Sequence, residues 1–555
     1  MGWLLEMKKI FDICKIYFIT HKNAVILHAL LCVLLSLQSL ATPYITGNFI
    51  DVLVIGSDLH GILNYCCMYT IITLISLIIG YICNRLYIKL QTTMSFELNR
   101  DVLIHLQKIP VSYYFEQDKT SLNQKINNDA NALITFCISL FQNLITNFLT
   151  VLLAILIISF FDIKISGILF ILIPCYYLVY KKFKSVLFKN GYELKKSQTE
   201  YFGKLFEQIS YIKQIKIFSL FSSFINRLNN AFSNTINNAY KYQNASYIFS
   251  SLDTTILSLA QIFLFIYGGL KVIGGEISIG NFTIISSYFG MMLSSVRYFF
   301  SLGKNVQDVM VSYERLYELI NIKSESVGLT RLESVDKIQI KNASLVSENK
   351  NIISDFNATF VKGSIYVING DNGSGKSTLI NLILGLFIDE FNGDIFFNSI
   401  SIKDIDMYYL RQKCIGITEQ EPILFEDSIM YNIFLGENKD KSNGLSNLID
   451  ILNFTDFLKA LPNGIETKVC EKAATFSGGE KQKIALLRAL IKDSDVLLLD
   501  EPTSALDSIS SERLMNYLRT IKNNKIIIIV THDKLFFDIA DDIIYIDENN
   551  YITDK

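Results

Sequence analysis

The spacing of apolar positions divides the chain in two. Up to about residue 300, apolar residues run on with no amphipathic period, and beyond it short β-branched runs alternate with helical periodicity. Runs near the ~20 residues needed to cross a bilayer fall at 24–42, 62–82, 133–160, 165–180, 247–270 and 282–302. The fourth is short, and Lys181, Lys182 and Lys184 can snorkel to extend its reach. One or two such runs would suit buried helices of a soluble protein. Six predict an all-α, six-helix transmembrane domain in contact with a lipid bilayer. Ahead of them, Lys8, Lys9, Lys15 and Lys22 are interleaved with Trp3, Leu4, Ile10, Phe11 and Phe18. A signal peptide would separate its basic patch from its apolar core, so the mixture predicts an amphipathic helix on the cytoplasmic membrane surface.

Charge sets the orientation. The connection after the second run carries Arg85, Lys89, Arg100, Lys108, Lys119 and Lys125, and the one after the fourth is basic from Lys181 to Lys241. The connections 51–60, 162–164 and 271–281 are nearly free of positive charge. Positive residues mark the cytoplasmic side, which predicts that both termini and the second half of the chain are cytoplasmic. The basic connections are long and helically periodic, so they should continue the membrane helices into the cytoplasm, each pair joined by a turn. Asp253 and Arg297 fall within spans near the inner leaflet. An intramembrane charge is a functional candidate, and these two have opposite sign. The preferred expectation is that extended helices carry both into headgroups or water, and mutual pairing is the alternative.

Residues 311–322 end a helix, 323–336 are polar and irregular, and 337–555 alternate strands with helices. The domains expected are therefore 1–322 (membrane), 323–336 (linker) and 337–555 (an α/β P-loop NTPase fold). Strands are predicted at 364–369, 496–499 and 526–530.

Composition narrows the class. Hydrophobic residues make up 50% of the chain, too much for an ordinary soluble enzyme of 555 residues, while the formal charge of −2 discriminates nothing. No long basic patch stands out, so nucleic acid is not expected as a partner. The nine cysteines contain no C-x-x-C pair, and several lie in apolar runs where cysteine packs as a small hydrophobe. Neither a disulfide framework nor a cysteine metal site is expected. Heavy use of Asn, Ile and Lys suggests an AT-rich, bacterial genome.

Chemistry enters at Gly370, Asp371, Asn372, Gly373, Ser374, Gly375, Lys376, Ser377 and Thr378, which match G-x-x-x-x-G-K-[ST] between a strand and a helix. Glycines let backbone N–H groups cradle phosphate oxygens, and a helix N-terminus adds a favourable dipole. Lys376 is expected on the β- and γ-phosphates and Ser377 on Mg²⁺. Downstream, the apolar run 496–499 ends in Asp500 and Glu501. A carboxylate at that strand end reaches the Mg²⁺ shell, and the next acid is placed to polarise the attacking water. Phe476, Ser477, Gly478, Gly479 and Glu480 precede a helix predicted at 481–491; alone they read as a helix cap.

Taken together these motifs resemble the ATP-binding cassette transporter family, specifically an exporter-type half-transporter with a membrane domain fused ahead of one ATPase domain. The resemblance spans the whole chain. Residues 476–480 are similar to the L-S-G-G-Q signature, with Phe for Leu and Glu for Gln. Ser504–Asp507 resembles the D-loop, Gln420 the Q-loop residue and His532 the switch histidine, while Glu471 lies in a segment similar to the loop before the signature, with Cys470 and Ala473 where glycines are usual. Residues 110–129 and 207–218 resemble the two cytoplasmic coupling regions. The aromatic that usually stacks on adenine falls near Ser347, which departs from the family pattern.

The resemblance implies an ATPase using ATP and Mg²⁺, with Glu501, His532 and Gln420 catalytic. Ser377, Gln420 and Asp500 would hold the metal. Each nucleotide would lie between the P-loop of one subunit and Ser477, Gly478 and Gly479 of a second half-transporter, a homodimer or a related chain, and Asp507 would also contribute to nucleotide binding. The activity expected is ATP-driven export of a peptide, lipid-like or hydrophobic drug-like substrate from the cytoplasm across a bacterial plasma membrane. Spans beginning near residue 24 leave no room for an N-terminal protease domain, so no processing of cargo is expected. An ATP-gated channel-like or regulatory protein is the alternative. A soluble cassette ATPase is excluded by the six spans, and importers of the family usually keep the two domain types on separate chains.

Overall fold

The computed structural model describes residues 2–55, 59–116, 122–123, 125–162, 164, 167–347, 350–371, 373–436, 444–469, 476–546 and 552–554. The chain forms two compact units, Met1–Ile109 with Glu116–Lys323, and Pro110–Phe115 with Ser324–Lys555.

The helices of the first half are α1 (Gly2–Thr20), α2 (Lys22–Ile55), α3 (Leu59–Leu106), α4 (Val111–Glu116), α5 (Ala130–Phe161), α6 (Ile168–Ser210), α7 (Ile212–Ile217), α8 (Phe221–Ile273) and α9 (Ile279–Ile320). All but most of α4 belong to the first unit. The expected spans lie within α2, α3, α5, α6, α8 and α9, with 165–166 of the fourth outside the described residues. Among those described, α2, α3, the helix ending at Phe161 and α8 are long and apolar enough to cross a membrane. Several helices far exceed a bilayer. At ~1.5 Å per residue the 53-residue α8 runs about 80 Å, against a hydrocarbon core of ~30 Å. The short α7 closes the reversal from α6 into α8, where the Gln208 amide donates to the Phe224 carbonyl at 2.9 Å.

Two surfaces with different physics follow. Ile284, Tyr288, Phe289, Met292, Leu293 and Val296 of α9 are buried at the three-and-four spacing of one helix face, and Tyr288 donates to the Leu40 carbonyl at 2.5 Å. By contrast Ile71, Leu74, Leu77 and Ile78 of α3 are exposed. Lipid solvates such side chains as well as a protein core does, so packing and hydrogen bonds hold the helices together. Asp51 at the end of α2 accepts from the Ser278 hydroxyl and the Gly280 amide, each at 2.7 Å, capping α9 from outside.

The amphipathic N-terminal segment forms α1, but its stripe is used for packing. Ile10, Cys14 and Tyr17 are buried, Tyr17 donates to Asp101 at 2.9 Å, and His21 meets Glu97 at 3.0 Å. Only its other face, with Ile16 and Ile19, is exposed. Asp253 and Arg297 pair at 2.7 Å, with Asp253 buried and Arg297 exposed, so the two make the mutual contact given as the alternative expectation.

The second unit holds two sheets. β1 (Lys337–Ser347), β2 (Lys350–Val361), β4 (Asn392–Phe397) and β5 (Ile400–Ser401) form an antiparallel sheet in the order β2-β1-β4-β5. β3 (Ile365–Gly370), β6 (Ile415–Thr418), β7 (Val496–Asp500), β8 (Ile526–Val530), β9 (Asp542–Ile546) and β10 (Ile552–Asp554) form the other, in the order β10-β9-β3-β8-β7-β6. Its helices are α10 (Lys376–Ile383), α11 (Met407–Lys413), α12 (Ile429–Phe434), α13 (Leu445–Ile451), α14 (Thr455–Ala460), α15 (Gly478–Ile491) and α16 (Ser508–Ile521). The three strands predicted from sequence are β3, β7 and β8. Their unbroken apolar character has a direct cause. Successive side chains alternate faces, and here both faces are covered: Val496 and Leu498 enter one core, Leu497 and Leu499 the other. Residues 324–336 are irregular, yet Val335 is fully buried and the Ser326 amide donates to Asp389 at 2.8 Å.

Candidate nucleotide site

Strand register builds the site. β3, β8 and β7 are parallel neighbours in which Ile368 pairs with Val530 and Val530 with Asp500. The residues that follow therefore emerge side by side at the carboxyl ends, where parallel sheets bind ligands. These are the P-loop after β3, Thr531 and His532 after β8, and Glu501 after β7. β6 ends level with β7, since Thr418 pairs with Leu499, and Gln420 follows it.

The P-loop is wound tightly before α10. Gly375 has φ +93°, and a Cβ there would lie 2.8 Å from the Ile352 carbonyl oxygen, so only glycine fits. Lys376 Nζ donates to the carbonyls of Gly370 and Asp371 at 2.7 and 2.8 Å. The buried Ser374 hydroxyl has no hydrogen-bond partner among the described residues. Ser377 donates to Asp500 Oδ2 at 2.8 Å, bringing together two oxygen groups suited to a hard cation. Burial lowers the Lys376 pKa from the usual lysine range, with Glu501, Asp500 and Asp371 opposing. Burial also raises the Asp500 carboxyl, with Ser377 and Lys376 opposing. Cation and carboxylate are each desolvated ahead of charge compensation, and the unpartnered Ser374 hydroxyl faces the same loop. The set fits a phosphate with Mg²⁺. Asp371 and Gly373 are exposed, Thr378 is half-buried, and Asn372 lies outside the described residues.

The Asp500 shift has a testable sign. A carboxyl raised by folding favours its neutral form, so its stabilising contribution is full below the ordinary aspartate pKa and lost as pH rises through the raised value. At neutral pH the ionised group opposes folding. Asp500→Asn should therefore raise the melting temperature of the nucleotide-free protein at pH 7 while removing Mg²⁺-dependent ATPase activity. The stability gain should vanish at low pH, and paired thermal melts and ATPase assays check all three outcomes.

Glu501 sits in an uncommon backbone region, φ +46°, which costs about 1–3 kcal/mol for a side-chain-bearing residue. Three hydrogen bonds hold it there. Its amide donates to the Val530 carbonyl at 2.8 Å, and its carbonyl accepts from Gln482 at 2.6 Å and from the Ser504 amide at 3.2 Å. Its carboxylate meets the Thr531 hydroxyl at 3.3 Å and His532 Nε2 at 4.0 Å. Gln420 is exposed and makes no side-chain hydrogen bond to another candidate residue among the described residues.

Ser477 caps α15, and its reciprocal bonds with Glu480 form a capping box. Gly479 abuts the D-loop, where an added Cβ would meet the Ala505 carbonyl oxygen at 2.4 Å. No hydrogen bond joins Ser477, Gly478 or Gly479 to the P-loop among the described residues. Asp507 caps α16, accepting from the Ser510 amide and hydroxyl at 2.8 and 2.7 Å and from Lys483 at 3.1 Å. The Ser510 bonds, seconded by Lys483, hold its carboxyl down at about 2. Cys470, Glu471 and Ala473 lie outside the described residues, as does the Ser347 side chain.

Sequence reasoning missed Gln482. This residue is buried and bonds the Glu501 carbonyl, the Ser504 hydroxyl and the Ala505 amide at 2.6, 3.1 and 2.8 Å. A signal existed, since a glutamine on the buried stripe of α15 breaks its apolar pattern. Thr531 was missed too; it is fully buried and donates to Glu501.

A bundle of long apolar helices joined to a P-loop sheet with a signature helix defines a membrane transporter driven by nucleotide. The comparisons agree. Residues 25–296 match the ABC transporter transmembrane region and 353–504 the ABC transporter family. The chain belongs to the ABC transporter family, as an exporter-type half-transporter with its ATPase domain fused to the membrane domain. It is 25% identical over 463 residues, 82% of this chain and 80% of the relative, to the "Putative multidrug export ATP-binding/permease protein YgaD" of Bacillus subtilis. A Staphylococcus aureus protein of the same description, SAB1799c, is 26% identical over 469 residues, 83% of this chain and 80% of its own. The structure of a bacterial Atm1-family ABC exporter with ATP bound shares the fold, with TM-score 0.87, 19% identity and coverage of 95% and 94% of the two chains.

Proposed function

We propose that two copies of this chain, or this chain and a related half-transporter, form an ATP-driven exporter in a bacterial plasma membrane, with both termini and the ATPase domains in the cytoplasm. The observation that carries this reading is the division of the site. The P-loop, Asp500, Glu501 and His532 converge at the carboxyl ends of β3, β7 and β8, while Gly478 and Gly479 abut their own chain's Ala505 and, among the described residues, Ser477–Gly479 make no hydrogen bond to that P-loop. A second chain would bring its signature residues to the exposed side of the nucleotide.

In this reading the P-loop amides and Lys376 bind the β- and γ-phosphates, and Ser377, Asp500 and Gln420 hold Mg²⁺, which when bound neutralises phosphate charge. Glu501 orients and polarises the attacking water, and His532 lies beside it at 4.0 Å. ATP binds the closed pair far better than the open one, so binding shifts the population and hydrolysis releases it. The cargo class is a peptide, a lipid-like molecule or a hydrophobic drug; the export descriptions of the relatives support the last of these.

Reconstituted vesicles with ATPase domains outward test the proposal. ATP should drive uptake of a hydrophobic cationic dye against its gradient, with hydrolysis supported by the single chain. Dye that only equilibrates would favour ATP-gated passage without pumping. Absence of hydrolysis by folded protein would exclude the self-sufficient homodimer.

A further inference from the structure

Within the first unit, three chemically matched side chains meet between α2 and α3. His28 and Cys32 are one turn apart on α2 and so share a face, and Cys83 approaches them from α3. The Cys32 sulfur lies 3.8 Å from the Cys83 sulfur and 3.7 Å from His28 Nε2, and the Cys83 sulfur lies 3.5 Å from His28 Nδ1. Exposures are 1%, 1% and 4% for His28, Cys32 and Cys83. The Gln142 side chain hydrogen-bonds the imidazole, the type of outer contact that orients a metal-binding histidine.

The separations have a simple interpretation. With metal–sulfur bonds of ~2.3 Å and metal–nitrogen bonds of ~2.0–2.1 Å at tetrahedral angles, two sulfurs sit about 3.8 Å apart and sulfur and nitrogen about 3.5 Å apart. The two sulfurs already lie at that separation; their short contacts go to different ring nitrogens, and with one nitrogen chosen the three ligand atoms lie within 4.8 Å of one another, so a small turn of the ring completes the set. Packing alone explains a buried cysteine, but here two thiols and an imidazole, all buried, turn their donor atoms toward one another, an arrangement that a soft cation would hold.

Charge selects the ion. Two thiolates and a neutral imidazole around a divalent cation sum to zero, whereas a monovalent cation would leave a net negative charge in a low-dielectric setting. Thiolate and imidazole donors suit soft or borderline metals. We infer that His28, Cys32 and Cys83 bind one divalent, thiophilic cation of the zinc class, clasping α2 to α3. On binding, two S–H bonds break, two sulfur–metal bonds form and two protons leave for solvent, with no change of oxidation state. This site is separate from the nucleotide site and does not depend on the transport reading.

The test uses the full chain in lipid nanodiscs, with the exposed Cys66 and Cys67 replaced by serine in every sample to remove surface thiols. Titration with Co²⁺ should give one ion per chain, a sulfur-to-cobalt charge-transfer band and the intense visible bands of a tetrahedral site, all abolished by Zn²⁺. Cys32→Ser and Cys83→Ser should each lose the band and lower metal affinity at least tenfold, and His28→Ala should weaken it. A second measurement covers variants that fail to fold. Zn²⁺ should protect Cys32 and Cys83, but not Cys137, from alkylation during partial unfolding, read by mass spectrometry. Equal metal binding by wild type and Cys83→Ser, or no charge-transfer band from reduced wild type, would overturn the inference. So would uptake of Cu⁺ with no response to Co²⁺ or Zn²⁺, or recovery of the two sulfurs only as a disulfide.

Discussion

Glu501→Gln should lower the ATPase rate by about 10²–10⁴-fold, the usual contribution of a positioned general base. Nucleotide binding should change little, because the P-loop amides, Lys376 and Ser377 are untouched. The substitution is nearly isosteric and keeps the acceptor that meets Thr531 at 3.3 Å. In the proposed mechanism it removes the negative charge that polarises water. The measurement is steady-state ATPase in nanodiscs beside equilibrium binding of a fluorescent ATP analogue. Retention of more than a tenth of the wild-type rate would mean that another group orients the water, and His532, 4.0 Å from the same carboxylate, would be the next residue to replace.

Gln482→Leu should be the most damaging change outside the residues that touch nucleotide. The glutamine fills three roles with one amide: it fixes the carbonyl of strained Glu501, the Ser504 hydroxyl and the amide of Ala505. Leucine fills similar volume but removes the partner of the Ala505 amide and leaves the Glu501 carbonyl only the Ser504 amide at 3.2 Å, a loss of about 1–3 kcal/mol in all. A loss of about 2 kcal/mol corresponds to roughly 4–8 °C in melting temperature for a domain of this size. Activity should fall further than stability predicts, since Glu501 loses the shortest of the bonds that hold its left-handed backbone. The expected signature is a reduced kcat with nearly unchanged nucleotide affinity at a temperature where the variant is folded. If kcat survives while the melting temperature drops, Gln482 is structural only.

The nucleotide site was largely legible because its chemistry is local. A phosphate cradle needs glycines, a lysine and a hydroxyl within nine consecutive residues, 370–378, and a Mg²⁺ carboxylate needs an apolar strand ending in acid. The strands themselves could be read because both faces of β7 and β8 are buried, which demands unbroken apolar runs. Gln482 could not be assigned this way, since its partners lie 19–23 residues away on the chain and meet it only through the packing of α15 against the sheet at β6. The N-terminal helix shows the opposite problem. Its amphipathic pattern is real, but a stripe of Ile10, Cys14 and Tyr17 serves a helix bundle as well as a lipid surface, and the pattern alone does not distinguish them.

The sequence by itself determined the division into an apolar helical half and an α/β half, the connections in which positive charge collects, and which residues form the P-loop. Each of these depends on composition or on neighbours within a turn or a strand. Only the tertiary structure decided that Asp253 pairs with Arg297, that Asp51 caps α9, that Gln482 secures Glu501, and that His28 and Cys32 meet Cys83. Those contacts join residues that are 19 to 229 positions apart. Their partners are chosen by helix crossing and strand order, and a single chain read in one dimension carries neither.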